Sequence, residues 1–137
     1  MTKEESLKVF GSTDYKFLTD QERTVFRSTV EELMERDLFK MSDVPVIASY
    51  SRNVVLARLA AKDVQKLGTV IEFYDRGCKK WKTNPAVDIM NKAQMAYEST
   101  AIKLGLTPTG RKRVPGNGGK KSDLDKFMEE MSDGGNA

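Results

Sequence analysis

The sequence contains no histidine and only one cysteine, and both shortages limit the chemistry that the chain can carry. Without histidine it lacks the commonest general base, the commonest metal ligand and every serine–histidine or cysteine–histidine nucleophile pair. Cys78 has no second cysteine with which to form an intrachain disulfide. These absences exclude many classes of enzyme, and we expect neither a metal ion nor another cofactor.

A phosphate-binding loop and a catalytic carboxylate pair are missing as well. Residues 116–122 come nearest to the loop, but their glycines and lysines have the wrong spacing. Aspartates and glutamates are scattered over the expected helix surfaces instead of being paired in an apolar setting. The sequence therefore predicts a protein that is not an enzyme.

Long apolar runs are absent too. No stretch approaches the roughly 18 apolar residues that span a bilayer, and the acidic first residues do not lead into the apolar segment of a secretory signal. A hydrophobic fraction of 39% and a charged fraction of 31% over 137 residues are ordinary for a soluble protein. We expect one compact domain with tails, no membrane contact and residence in the cytoplasm.

Helical periodicity is the main feature that is present. Apolar residues at three- and four-residue spacing predict a first helix over about residues 20–38, capped by Thr19 or Asp20. Another helix opens at Asn84-Pro85 and ends at a glycine cap, Gly105. Both have the cap residues that such helices favour.

Between them, a long helix is predicted from a cap at Ser42 to about Leu67. It carries two apolar stripes, so it must be covered on two sides, either as the central helix of the domain or against a neighbouring subunit. Head-to-tail contacts through this helix and the hairpin that follows it form a ring where their rotation closes, and we predict a cyclic homo-oligomer. The predicted oligomerisation residues are Ile47, Tyr50, Val54, Leu56 and Leu59.

A short β-hairpin or extended arm is expected before the last long helix. Residues 69–74 are β-branched and aromatic, Asp75-Arg76-Gly77 is a turn signal, and residues 78–82 can return as the partner strand. The predicted fold class is therefore all-α, with three main helices and a small hairpin. The expected divisions are an N-terminal arm (1–18), a helical domain for DNA binding and oligomerisation (19–114), and a flexible linker with an acidic tail (115–137).

Two basic clusters flank the third helix and are candidates for binding nucleic acid, because cationic side chains neutralise phosphates. Trp81 lies within the first cluster and could stack on a base, but a lone tryptophan in a small domain is more often core, and we expect it there. Alternatively, both clusters are simply a solvated basic surface. The predicted DNA-binding residues are Arg76, Lys79, Lys80, Lys82, Arg111, Lys112, Arg113, Lys120 and Lys121.

The C-terminal segment combines acids with apolar residues in helical register. Such a pattern is typical of a short peptide that docks its apolar side in a groove, although it also suits a solubilising tail. The predicted docking residues are Leu124, Phe127, Met128 and Met131.

Residues 84–93, followed by Leu104-Gly105-Leu106-Thr107-Pro108-Thr109-Gly110-Arg111, resemble the C-terminal signature of a family of phage terminase small subunits, in which an Asn-Pro helix leads to Gly-Leu-Thr-Pro-x-x-Arg. The resemblance implies a non-catalytic, ring-forming helical protein in the cytoplasm of an infected bacterial host. Such a protein recognises double-stranded viral DNA, delivers it to the large terminase subunit and modulates that partner's ATPase and nuclease.

The motif residues carried over are Asn84, Pro85, Gly105, Leu106, Thr107, Pro108 and Arg111. Most of them are explained as helix caps and turn residues, and Arg111 alone among them is a candidate for direct contact with DNA. Gly110 departs from the pattern, since a better helix former is expected there, and residues 111–113 are unusually basic. Two other classes remain open: a dimeric helix-turn-helix regulator, and a structural phage-head component that binds no DNA.

Overall fold

The computed structural model describes residues 2–113, which are mostly helical. In chain order the elements are α1 (Lys3–Phe10), α2 (Thr13–Lys16), α3 (Asp20–Glu35), α4 (Val44–Leu67), β1 (Val70–Asp75), β2 (Cys78–Thr83), α5 (Pro85–Leu104) and α6 (Pro108–Arg113). Three long helices and one small antiparallel hairpin confirm the predicted class of the single chain, while the ring stays a prediction. None of these helices is both long and apolar enough to cross a bilayer.

The N-terminal segment is helical where the sequence predicts an arm. Thr2 forms a capping box with Glu5 at the start of α1, and Ser12 caps α2. Because Gly11 separates the two short helices, their apolar residues follow no single period. Val9 and Tyr15 are buried in the core, so this segment packs against the long helices.

The starts and ends of α3 and α4 differ slightly from prediction. α3 ends three residues early because Asp37 adopts a left-handed φ of 54°, while Leu38 still packs into the core and so extends the apolar pattern. The prediction that Ser42 caps α4 is wrong. A 3-10 turn over Met41–Asp43 leads directly into the helix, and no side-chain cap forms at Asp43.

The hydrophobic core lies at the end of the molecule away from the hairpin. Phe26, Leu33 and Ile47 are its largest fully buried side chains together with Leu104 from the end of α5. Phe10, Tyr15 and Phe26 pack with tilted or edge-to-face geometry at centroid distances of 5.1–6.2 Å. The core thus joins the N-terminal helices to α3, the start of α4 and the end of α5.

Helix α4 is central, as one of the two interpretations of its apolar stripes predicts. It packs mainly against α5 on one side and against α3 on the other. Buried alanines, including Ala57 and Ala60 on α4 and Ala86 and Ala93 on α5, allow these helices to approach closely. Small side chains thus hold much of the α4–α5 interface, whereas the aromatic cluster lies where α1, α2 and α3 meet.

The hairpin connects α4 to α5, and its strands pair mainly with each other. Arg76 and Gly77 form a two-residue turn with φ values of 52° and 80°. Positive φ at both central residues is the requirement of a type I′ turn, whose twist suits a two-residue hairpin. The ribbon therefore stands out from the end of the α4–α5 pair.

Asn84 joins the end of α4, the base of the hairpin and the start of α5. Its side-chain oxygen accepts from the Ala86 N–H at 3.0 Å, its Nδ2 donates to the Gly68 carbonyl at 2.9 Å, and its backbone N–H donates to Thr69 at 2.8 Å. The residue is only 2% exposed. The predicted cap is therefore also the clamp that closes the base of the ribbon.

Helix α6 folds back against the end of α5. Gly105 adopts a left-handed φ of 82°, and the Leu106 N–H donates to the Ala101 carbonyl at 2.9 Å, which closes a Schellman-type cap. Gly110 then lies directly against Ile102, where a Cβ would come within 2.9 Å of the Ile102 carbonyl carbon and Cα. A larger residue does not fit, which accounts for a glycine where helix propensity alone predicts a better helix former.

Candidate nucleic-acid interface

The excess positive charge of the described residues lies in two places. Residues 1–69 carry eleven acidic and eleven basic side chains, and residues 84–107 carry two of each. The hairpin has four basic side chains against two acidic ones, and α6 has three basic side chains and no acid. The rest of the described chain is therefore neutral, and the two basic segments are the hairpin and α6.

In the hairpin, the strand register divides the lysines between two faces. Phe73 pairs with Lys80, and Tyr74 pairs with Lys79. Directly paired residues share a face, so Lys80 and Lys82 lie on the side of Phe73, whereas Lys79 lies on the side of Tyr74. All three lysines are exposed, so both faces of the ribbon carry positive charge.

Two of these lysines already have acidic neighbours. Lys79 pairs with Glu72 at 3.2 Å, and Lys80 pairs with Asp75 at 3.1 Å. Lys82 lies over the Phe73 ring, with its Nζ 5.2 Å from the ring centroid. Because exposed ion pairs contribute little free energy, these lysines can exchange their partners for phosphates.

Trp81 is 61% exposed, so the prediction that it packs on the core is wrong. Tyr74, on the same face of the hairpin, is 74% exposed, and the Lys79 Nζ lies 5.6 Å from the Trp81 ring centroid. The physical reason is the projection of the ribbon, whose strands contact mainly each other among the described residues. Val70 is exposed on the same face, which is therefore an apolar surface bordered by charge.

The second basic segment begins in α6, where Arg111 and Lys112 are exposed. The Arg111 N–H donates to the Thr107 carbonyl at 2.9 Å, and the Gly110 N–H donates to the Thr107 side-chain oxygen at 3.0 Å. α6 ends at Arg113. The remaining predicted residues lie outside the described residues: Lys120, Lys121, Leu124, Phe127, Met128 and Met131.

Within residues 2–113, the hairpin and α6 do not lie together. The hairpin precedes α5 and α6 follows it, and α5 has 20 residues. At 1.5 Å of rise per residue the two ends of α5 are about 30 Å apart. The segments are consequently two separate contact points, at opposite ends of one helix.

The predicted oligomerisation residues also divide into two groups. Ile47 is completely buried and Val54 is 7% exposed, so both are core residues, and we correct their assignment as subunit contacts. Leu56 and Leu59 are 46% and 49% exposed on the opposite side of the helix. Tyr50 is half-buried and packs edge-to-face on Tyr97 at 6.2 Å.

The sequence pattern gives no indication of a cleft between α4 and α5. It has a volume of about 280 Å³ and is lined by Tyr50, Arg58, Gln94 and Tyr97 among others. Burial raises the pKa of the Tyr50 phenol above its usual 10.0, and the charge of Glu32 and the nearby Tyr97 act in the same direction, whereas Arg58 lowers it. Tyr50 therefore remains a hydrogen-bond donor at neutral pH.

Arg58 also borders a second, larger groove of about 490 Å³ between α3 and α4. Val25, Val55 and Leu59 form the apolar part of its lining. The sequence marks these residues only as members of helical stripes, because the groove forms between two helices and depends on how they pack. Arg58 thus lies between two concave surfaces, although its position on the helix predicts only a solvated cation.

Comparison with known proteins gives one family. The family model for the phage terminase small subunit matches residues 23–121, which extend from α3 through α6. Neither a curated protein nor a solved structure matches the chain. The family acts in phage DNA packaging and is generally non-catalytic. Since the match covers well over half of the 137 residues, the chain belongs to the phage terminase small-subunit family.

Proposed function

We propose that the protein binds double-stranded viral DNA through its two basic segments and brings that DNA to the large terminase subunit in the host cytoplasm. The observation that carries the proposal is the confinement of excess positive charge to the hairpin and α6, on an otherwise neutral body. Contacts of this kind act on phosphates and are largely independent of sequence. Affinity for duplex DNA should accordingly fall steeply as the salt concentration rises.

The binding test replaces Arg111, Lys112 and Arg113 together by alanine. If all three side chains contact phosphates, the slope of log affinity against log salt becomes less steep by about 2.7, because each phosphate contact contributes about 0.9. Fluorescence anisotropy with a duplex probe over a range of salt concentrations measures this slope. An unchanged affinity and slope would remove α6 from the interface.

We further propose that copies of the chain form a ring. Leu56 and Leu59 on α4, and Val70 and Trp81 on the hairpin, are apolar side chains between 46% and 61% exposed that a neighbouring subunit can bury. A ring repeats weak phosphate contacts, and their combination increases the overall affinity for a long duplex.

Native mass spectrometry tests this assembly directly. A closed oligomer of many subunits is expected, and replacing Leu56 and Leu59 by glutamine should convert it to smaller species. The variant with Lys62→Gln on the same helix is the control, because Lys62 is exposed and polar. A wild-type dimer would contradict the ring.

The acidic tail is proposed to contact the large subunit. The support is its sequence pattern, in which Leu124, Phe127, Met128 and Met131 fall on one side of a helical register and mostly acids on the other. Deleting residues 122–137 should reduce stimulation of the large subunit's ATPase. It should leave the number of subunits in the oligomer unchanged. Full stimulation by the shortened chain would assign the tail to solubility instead.

A full-length chain that assembles but binds no duplex would favour a structural head component.

A further inference from the structure

The turn of the hairpin places an arginine where the backbone favours other residues. Arg76 has a φ of 52°, and Gly77 follows it at 80°. A type I′ turn favours Asn-Gly at these two positions, because a Cβ in the left-handed region crowds the backbone. Nothing in the local backbone geometry accounts for the choice of arginine.

Arg76 also differs from the neighbouring cations in how its side chain is paired. Glu72 and Asp75 pair with Lys79 and Lys80, while Lys82 lies over an aromatic ring. Within residues 2–113 the Arg76 side chain makes no ion pair and no hydrogen bond. Its guanidinium, at the outermost point of the ribbon, is therefore available to a ligand.

The ribbon has dimensions that suit one feature of duplex DNA. Two strands paired mainly with each other form a narrow projection, and its two acids are already neutralised by lysines. The major groove is about 12 Å wide and admits a two-stranded β-ribbon, whereas the minor groove is about half as wide. Lysines on both faces then lie towards the phosphates that border the groove.

We infer that the hairpin enters the major groove of duplex DNA turn first, with Arg76 as its leading contact to the base edges. An arginine fork donates two hydrogen bonds to O6 and N7 of guanine in a fixed, planar geometry. This inference rests on the proposed DNA binding and adds to it a groove, a leading residue and a modest preference for guanine.

The decisive variant is Arg76→Asn. It removes the cation and installs the residue that the turn favours, so the thermal midpoint should be equal to or higher than that of the wild type. Duplex affinity should nevertheless fall about tenfold, within the range for loss of one arginine fork. The control Lys16→Gln removes one exposed cation from α2 and should change affinity by less than about twofold.

Cys78 provides a second readout because it is the only cysteine, is exposed and lies two residues from Arg76. Alkylation of its thiol by a maleimide should slow when the protein is saturated with duplex. A major-groove dye such as methyl green should displace the protein and restore the rate. Displacement by netropsin, a minor-groove ligand, with no effect of methyl green would overturn the groove assignment.

The two levels of the proposal fail differently. If the wild type does not bind duplex DNA at all, the proposed function is wrong. If Arg76→Asn binds as the wild type does while the triple α6 variant does not, DNA binding stands and the ribbon inference is refuted. Loss of binding in Arg76→Asn together with a lower thermal midpoint would also refute it, since the turn would then need arginine structurally.

Discussion

Removing the side chain of Asn84 should destabilise the whole domain. Asn84→Ala deletes the cap on α5, worth about 1 kcal/mol, and the hydrogen bond to the Gly68 carbonyl, worth about 1 kcal/mol more. Because the residue is 2% exposed, a small cavity adds to the loss. We expect a total of about 2–3 kcal/mol, a large fraction of the stability of a small domain.

Asn84→Asp separates the two roles of the side chain. A carboxylate still accepts from the Ala86 N–H, but it cannot donate to the Gly68 carbonyl and places negative charge against that oxygen. Its pKa in the folded state should therefore lie above the unfolded value of about 3.9. The folded state then binds more protons than the unfolded state at pH values between these two pKa values. The stability of this variant should therefore rise as the pH falls from the folded pKa to the unfolded one.

Urea unfolding followed by circular dichroism measures both variants. Asn91→Ala is the matched control, because Asn91 is an exposed asparagine within the same helix, and it should change stability by less than about 0.5 kcal/mol. A loss below about 0.5 kcal/mol for Asn84→Ala would refute the clamp. So would an Asn84→Asp variant as stable as the wild type at neutral pH.

Two further predictions concern α6 and the α4–α5 cleft. Gly110→Ala should detach α6 and speed its amide hydrogen exchange, because crowding against Ile102 costs about 1–3 kcal/mol and exceeds the propensity gain of about 1 kcal/mol. Thr109→Ala, on the exposed side of α6, should be neutral or stabilising, and equal behaviour of the two variants would contradict this account. The raised pKa of Tyr50 means that its contribution to stability is complete below pH 10.0 and is lost as pH rises through the folded value. Tyr50→Phe should remove that alkaline loss, whereas parallel wild-type and variant curves of stability against pH would show the assignment to be wrong.

The sequence predicts the long helices well because their ends are specified locally. α5 begins at Pro85 after the Asn84 cap and ends before Gly105, as its cap residues indicate. α1 and α2 are missed because each is too short to show a full helical period, and their stability comes from tertiary burial of Val9 and Tyr15.

The candidate site is less predictable, since exposure depends on how elements pack. Composition favours a buried Trp81, yet the hairpin projects and leaves it 61% exposed. Likewise the stripe containing Ile47 is covered within the chain, while Leu56 remains outside. Gly110 is a further example. The Ile102 backbone that requires a glycine there lies in another helix, so helix propensity along the sequence does not indicate it.

Within residues 2–113 the sheet consists of two strands, so both strands of the hairpin are edge strands there. Unpaired backbone groups along such edges can template pairing with other chains, and lysines are a common protection against it. Lys79, Lys80 and Lys82 on β2 can therefore limit aggregation as well as attract phosphates. Neutral replacements would remove both effects together and confuse insolubility with lost DNA binding. Glutamate at these positions keeps the edge charged while repelling DNA, and is the safer substitution for separating them.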